Sequence, residues 1–248
     1  MAKIEKTIGS WITLGNSGIV EIMSDAGFDW LCIDLEHSVI DYEMCQNLIR
    51  TIQSKDLKAY VRVGENNPRI IKRILDAGAN GIIIPSINSA QEARDAINSV
   101  KYPPNGLRGV GLARAQGYGF NFEEYRDKRS KDVTVIVQIE HFSGINELDK
   151  IIEVEGLDGT FIGPYDLSGS LGKPGKFEDK EFISLVQRYE EITRKYEKIN
   201  GYHVVPIDHS LIEEKFKLGY NFIAYSFDGF FLGTILRDEM AKIKNNQA

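Results

Sequence analysis

The sequence has little cysteine, with only Cys32 and Cys45 among 248 residues. Their separation does not match the CxxC spacing of a zinc or redox pair. Cys32 falls inside an apolar run, so a buried thiol is expected there. No apolar run approaches the ~18 residues of a membrane span. The opening stretch, MAKIEKTIGSW, has no apolar h-region, so no secretory signal is expected. Positive charge is short as well. Lys and Arg total 30 against 36 Asp and Glu, for a net charge of −6 and a pI near 5.4. That balance argues against nucleic acid or an anionic membrane as a general partner. A reducing cytoplasm is the expected compartment. No low-complexity or Pro/Ser-rich linker interrupts the chain, so residues 1–248 are expected to form a single domain. Finally, no lysine ends a strand-like run: Lys58 opens one and Lys173 lies in a loop. Schiff-base chemistry needs a partly desolvated lysine in the site, so any electron sink must be a metal.

What is present is an alternation. Short apolar runs rich in Val, Ile, Tyr and Phe occur at 7–14, 30–36, 58–63, 81–87, 133–140, 159–163, 201–206 and 222–228. They are too short for typical helices and read as strands. Between them, apolar residues at helical spacing predict helices over 42–53, 68–78, 89–100, 144–156, 182–200 and 211–219. Asn67-Pro68 reads as an N-cap followed by an N1 proline, and Gly78 and Gly219 as glycines just past helix ends. Eight strands alternating with helices over this length predict an α/β fold, a (β/α)8 TIM barrel. The connection 101–132 is unusually long and carries GLRGVG and LARA, so an active-site loop is expected there. Its Arg108 and Arg114 read either as mouth residues or as solvated cations.

Chemistry in such barrels gathers at the C-terminal ends of the strands. The second run ends in Asp34, Glu36 and His37, the third near Arg62, and the fifth at Gln138 and Glu140; Asp166 lies just past the sixth. Glu140 and Asp166 come from adjacent strands. Two converging carboxylates repel unless a cation joins them, and an all-oxygen site suits a hard divalent ion. Arg62 in KAYVRVG is out of place in an apolar strand. It is expected either to aim a bidentate fork at a substrate carboxylate or to make a salt bridge inside the barrel. His37 reads as a general base acting directly or through water, with Asp76 in ILDAG as the group that could orient it.

These stretches carry a resemblance. IDLEH (33–37), VRV (61–63), ILDAG (74–78), IIIPSINSAQEA (82–93), YPPNGLRGVG (102–111), VQIE (137–140) and GLDGTFIGPYDLS (156–168) resemble the HpcH/HpaI aldolase family over about residues 7–240. The resemblance implies a metal-dependent pyruvate aldolase. It would cleave a 4-hydroxy-2-oxo acid, such as a 2-keto-3-deoxy sugar acid, reversibly to pyruvate and an aldehyde. Glu140 and Asp166 would hold Mg²⁺, Mn²⁺ or Co²⁺, with no organic cofactor. Arg62 and Gln138 would contact the pyruvyl group, and His37 paired with Asp76 would move protons. Backbone amides at Tyr165 and Asp166 would bind the carboxylate, and Trp11 would line the pocket. The family also implies a homo-oligomer, a hexamer or trimer of dimers, that exchanges the C-terminal helical segment from Gly229. The ends of the seventh and eighth runs, GYHVVPIDH and IAYSFDG, depart from the family's dicarboxylate aldolases and leave the aldehyde open. Oxaloacetate decarboxylation, a citramalyl-CoA-type lyase step and a non-catalytic keto-acid-binding barrel remain alternatives.

Overall fold

The computed structural model describes residues 4–245. Eight parallel strands close into a barrel in sequence order: β1 (Thr7–Ile12), β2 (Trp30–Asp34), β3 (Lys58–Arg62), β4 (Gly81–Ile84), β5 (Thr134–Ile139), β6 (Gly159–Ile162), β7 (Ile199–Val204) and β8 (Phe222–Phe227). β1 closes the ring against β8. Every apolar run named above contributes a strand, and most strands stop a little short of their run. β4 is an example, since Pro85 cannot extend the ladder after Ile84.

Helices cover the outside. Those at Tyr42–Gln53, Pro68–Ala77 and Ala90–Val100 fall where the spacing predicts them, opened by Asp41, Asn67 and Ser89 as side-chain caps. Gly78 closes the second at a left-handed φ of 100°, a conformation glycine adopts at little cost. The pattern at 144–156 resolves into two short helices, Phe142–Asn146 and Leu148–Ile152. The pattern at 182–200 gives Lys180–Thr193, with β7 starting at Ile199. Helices that escape the pattern reading include Ser17–Ser24, the short Pro164–Ser170 and the C-terminal Asp228–Asn245. Among the described residues no helix is long and apolar enough to cross a membrane.

The main core lies between the strands and their helices and is mostly Ile, Val and Leu, with the buried Cys45 among them. The barrel interior is different. Trp30, Tyr60, Phe161 and Phe222 fill it, together with Trp11, Ile83, Ile136 and the buried thiol of Cys32. Trp30 stacks on Phe222 with ring centroids 4.0 Å apart. Such large rings fit because glycines face them. A Cβ on Gly9 would fall 2.0 Å from the Trp30 ring, and one on Gly201 would fall 2.3 Å from Phe161. Gly201→Ala is expected to destabilise the barrel by about 1–3 kcal/mol through overpacking. Chemical denaturation of the variant, read against wild type, checks this.

The long connection 101–132 is not part of the mouth within one chain. It leaves a helix and enters β5, so it starts and ends at the face where strands begin, whereas chemistry gathers where they end. Its helical turns pack on the outer helices: Arg114 donates to the Ala77 carbonyl and to Gln53 Oε1, and Arg108 reaches Asp76 at 2.7 Å. The expectation of an active-site loop is corrected accordingly; of the two readings of Arg108 and Arg114, the mouth reading fails for both, and Arg108, 2% exposed, is not a solvated cation either.

Candidate active site at the strand ends

Asp34 and Arg62 are register partners in the β2–β3 ladder, so their side chains emerge side by side at the barrel mouth. Arg62 Nε donates to Asp34 Oδ1 at 2.9 Å and Nη2 donates to Oδ2 at 2.6 Å. Its Nη1 lies 3.2 Å from Glu36 Oε2, and its guanidinium covers the Trp11 ring at 4.6 Å. Asp34 is 2% exposed and Arg62 9%. A buried fork held by a carboxylate in this way is strong and geometrically fixed. One edge of the fork is therefore satisfied internally. Asp34 holds the guanidinium rigid, and that edge is not free for a substrate carboxylate.

Across the mouth, Glu140 follows β5 and is 7% exposed. Its Oε1 accepts from Ser86 N at 2.7 Å and from Ser86 Oγ at 2.8 Å; its Oε2 accepts from Gln138 Nε2 at 2.6 Å. Ser86 adopts a left-handed φ of 56°, a strained conformation for a non-glycine residue. Asp166 lies in the first turn of the helix Pro164–Ser170 and is exposed. Burial pushes the Glu140 carboxyl up, and the charge of Asp166 adds to that; the Ser86 hydrogen bonds pull the other way. Glu36 is pushed up to about 7. Desolvation is the main cause, opposed by Arg62 and reinforced by Glu140, Asp34 and Asp166.

Thus Asp34 and Glu36 engage one guanidinium while the charges of Glu140 and Asp166 act on Glu36, and the mouth carries excess negative charge. Among the described residues the buried acceptors Glu36 Oε2 and Gln138 Oε1 there receive no hydrogen bond, although Glu36 Oε2 sits in ion-pair range of Arg62, and the buried donor Trp11 Nε1 has no acceptor. Acceptors left open beside a surplus of carboxylates are what a hard cation with water and substrate oxygens would satisfy. The residues present therefore fit a divalent ion. Among the described residues, no group of three or more His, Cys, Asp or Glu is arranged to hold one alone. A pair of carboxylates suits an ion that keeps several waters or substrate oxygens.

The raised carboxyl of Glu36 has a thermodynamic consequence. A carboxyl whose folded pKa lies above its unfolded value contributes stability below about 4.5, and that contribution is lost as pH rises through about 7. Glu36→Gln is expected to gain melting temperature over wild type at pH 8 but not at pH 4. Thermal melts in chelator, compared across that range, check the sign.

Other predicted residues divide. Trp11 is buried against Arg62, Phe161 and His203 and lines a cavity at the mouth. His37 is on the rim, largely exposed, with Nε2 3.7 Å from Glu36 Oε2. Tyr165 is half exposed and packs edge-on against Phe177. The helix that carries it starts at Gly163 without a side-chain cap, so no side chain of the cap engages its first amides. Asp76 does not meet His37 within one chain. It ends a helix that leads into β4, which puts it at the strand-entry face, and its Oδ1 accepts from Arg108 and from Gln116 at 3.0 Å. The sequence reading gave no role to Asp34 as the clamp on Arg62, or to Ser86 as the donor pair for Glu140. Both are polar residues at the end of an apolar run, the signal that singled out the others.

A cavity of about 260 Å³ opens beside this cluster, lined by Trp11, Thr13, Asp34, Arg62, His203 and Phe227 with His37 at its edge. Larger hollows lie elsewhere, one at the strand-entry face around Lys58, Asn80 and Thr134. The chemistry-bearing groups converge on the smaller cavity.

Known proteins resemble this chain over most of its length. A family model described as HpcH/HpaI aldolase/citrate lyase matches residues 7–233. A hydroxypyruvate/pyruvate aldolase of Agrobacterium fabrum is 34% identical over 242 residues, covering 97% of this chain and 90% of that protein. A 4-hydroxy-2-oxo-heptane-1,7-dioate aldolase of Escherichia coli is 34% identical over 222 residues, covering 89% and 84%. Among solved structures, an HpcH/HpaI aldolase/citrate lyase family protein of Burkholderia cenocepacia superposes with a TM-score of 0.91 at 31% identity, covering 97% of this chain and 95% of that one.

Proposed function

The chain belongs to the HpcH/HpaI aldolase/citrate lyase family and is a carbon–carbon lyase, and we propose that it cleaves 4-hydroxy-2-oxo acids reversibly to pyruvate and an aldehyde, with a divalent cation held by Glu140 and Asp166. The observation that carries this reading is the clamped guanidinium of Arg62 facing a surplus of carboxylates at the strand ends. A cation on Glu140 and Asp166 would supply Lewis-acid charge to the substrate's keto oxygen.

This chain's own residues do the rest. A base removes the C4 hydroxyl proton, the C3–C4 electron pair moves into a C2–C3 double bond, and negative charge develops on the C2 oxygen. Arg62, fixed by Asp34, is a preorganised positive partner for that charge and needs no reorganisation at the moment of reaction. Gln138 donates to Glu140 through Nε2 and leaves Oε1 as an acceptor for a substrate hydroxyl or a water. His37 is accessible and takes the hydroxyl proton directly or through a water, with Glu36 as its neighbour. The amides of Tyr165 and Asp166 receive the substrate carboxylate at the uncapped helix start. C3 of the enolate is then protonated to give pyruvate. Asp76 has no step within one chain.

We also propose a homo-oligomer. The helix Asp228–Asn245 buries only Asp228, and it exposes Leu232, Ile235, Leu236 and Met240. Exposed apolar surface of this extent on one helix is costly for a monomer. Light scattering is expected to give a mass several times 28.0 kDa; a monomer at micromolar concentration would refute this. The aldolase reading is tested by exchange of pyruvate C3 protons in D₂O with the purified protein and added Mg²⁺ or Mn²⁺. Exchange is expected; its absence with each metal would leave a binding barrel in its place.

A further inference from the structure

We propose that His203 is the specificity-determining residue for the aldehyde, and that its free ring nitrogen selects aldehydes bearing a hydroxyl next to the carbonyl over those bearing a second carboxylate. This rests on the aldolase reading and deepens it. Glu140 and Asp166 stand at the ends of β5 and β6, while the cavity is walled by residues of β1, β2, β3, β7 and β8. Arg62 borders both. A keto acid held at the carboxylates and Arg62 therefore extends its far end into the cavity, between Trp11, Phe227 and His203.

The chemistry of that cavity is one-sided. His203 Nε2 lies 3.3 Å from the Ser226 carbonyl oxygen. A carbonyl only accepts, so Nε2 carries the hydrogen and Nδ1 is left as a lone-pair acceptor. No described residue bonds Nδ1. Burial and the charge of Arg62 hold the imidazole down at about 4, so it is neutral at pH 7. Of the other polar groups in the lining, Trp11 Nε1 is a lone neutral donor without a partner and His37 stands at the edge. Thr13 Oγ1 donates to Asp228, and Arg62 is engaged by Asp34 and Glu36. A distal carboxylate would meet no unpaired cation in the cavity lining. It would also lie beside the Asp34 carboxylate. A distal hydroxyl would find an acceptor between the Trp11 and Phe227 rings, where an unmade hydrogen bond is costly.

The test is aldol addition of pyruvate to three probes: glycolaldehyde, acetaldehyde and succinate semialdehyde. Wild type is expected to favour glycolaldehyde over acetaldehyde by about tenfold in kcat/KM, the worth of one hydrogen bond in such a site, and to use succinate semialdehyde least. In His203→Leu the ratio of glycolaldehyde to acetaldehyde is expected to fall towards one; His203→Asn, which restores an acceptor, is expected to recover part of it. Being a ratio, the readout is insensitive to partial loss of folded protein. Equal use of glycolaldehyde and acetaldehyde by wild type, preference for the semialdehyde, or an unchanged ratio in His203→Leu would each overturn the proposal. Failure of the underlying reading shows separately, as wild-type protein that exchanges no pyruvate protons.

Discussion

Arg62→Ala is expected to lower kcat for retro-aldol cleavage by about 10²–10³-fold, the usual consequence of removing one preorganised stabiliser of developing negative charge. The same change leaves the Asp34 carboxylate buried at 2% exposure with its fork partner gone. Breaking a buried pair from one side costs about 3–5 kcal/mol of stability, so activity must be read on protein shown to be folded by circular dichroism. Arg62→Lys separates the two effects. Lysine keeps the charge but loses the planar fork that Asp34 holds in place. It is expected to recover much of the stability and little of the turnover. Pyruvate C3 proton exchange is the sharpest readout, because it forms the same enolate without any aldehyde. Wild-type exchange in Arg62→Ala would remove Arg62 from the mechanism.

Removing the cation should have an effect at least as large. Exhaustive chelation is expected to abolish cleavage, and Mg²⁺, Mn²⁺ or Co²⁺ to restore it, because the donors are all hard oxygens. Glu140→Gln gives the residue-level version. It removes one carboxylate from a buried position that Asp166 already crowds. Without metal, that variant is expected to melt at a higher temperature than wild type, since a repulsion has gone. Calorimetric titration is expected to show its metal affinity at least tenfold weaker. A mere misfolding lesion would lower both quantities. Activity that survives chelation with no metal detected would withdraw the roles given to Glu140 and Asp166.

The regularities of the chain foretold its architecture. Strand runs of Val and Ile, helices punctuated by Asn67-Pro68 and Gly78, and an eightfold alternation are local patterns, because side-chain period and caps are set by neighbours in the chain. From them the barrel followed, and with it the list of strand-end residues: Asp34, Glu36, His37, Arg62, Gln138, Glu140 and Asp166. Which of these touch was another matter. That Arg62 is gripped by Asp34 depends on the β2–β3 register, and that Ser86 feeds Glu140 depends on a left-handed turn after β4. That Asp76 faces away from His37, and that the long connection lies over the outer helices, follows from the direction each helix runs once the ring has closed. The tautomer of His203 is fixed by a carbonyl 23 residues away. Burial, charge balance and hydrogen-bond partnership arise between segments remote in sequence, so only the closed barrel decides them.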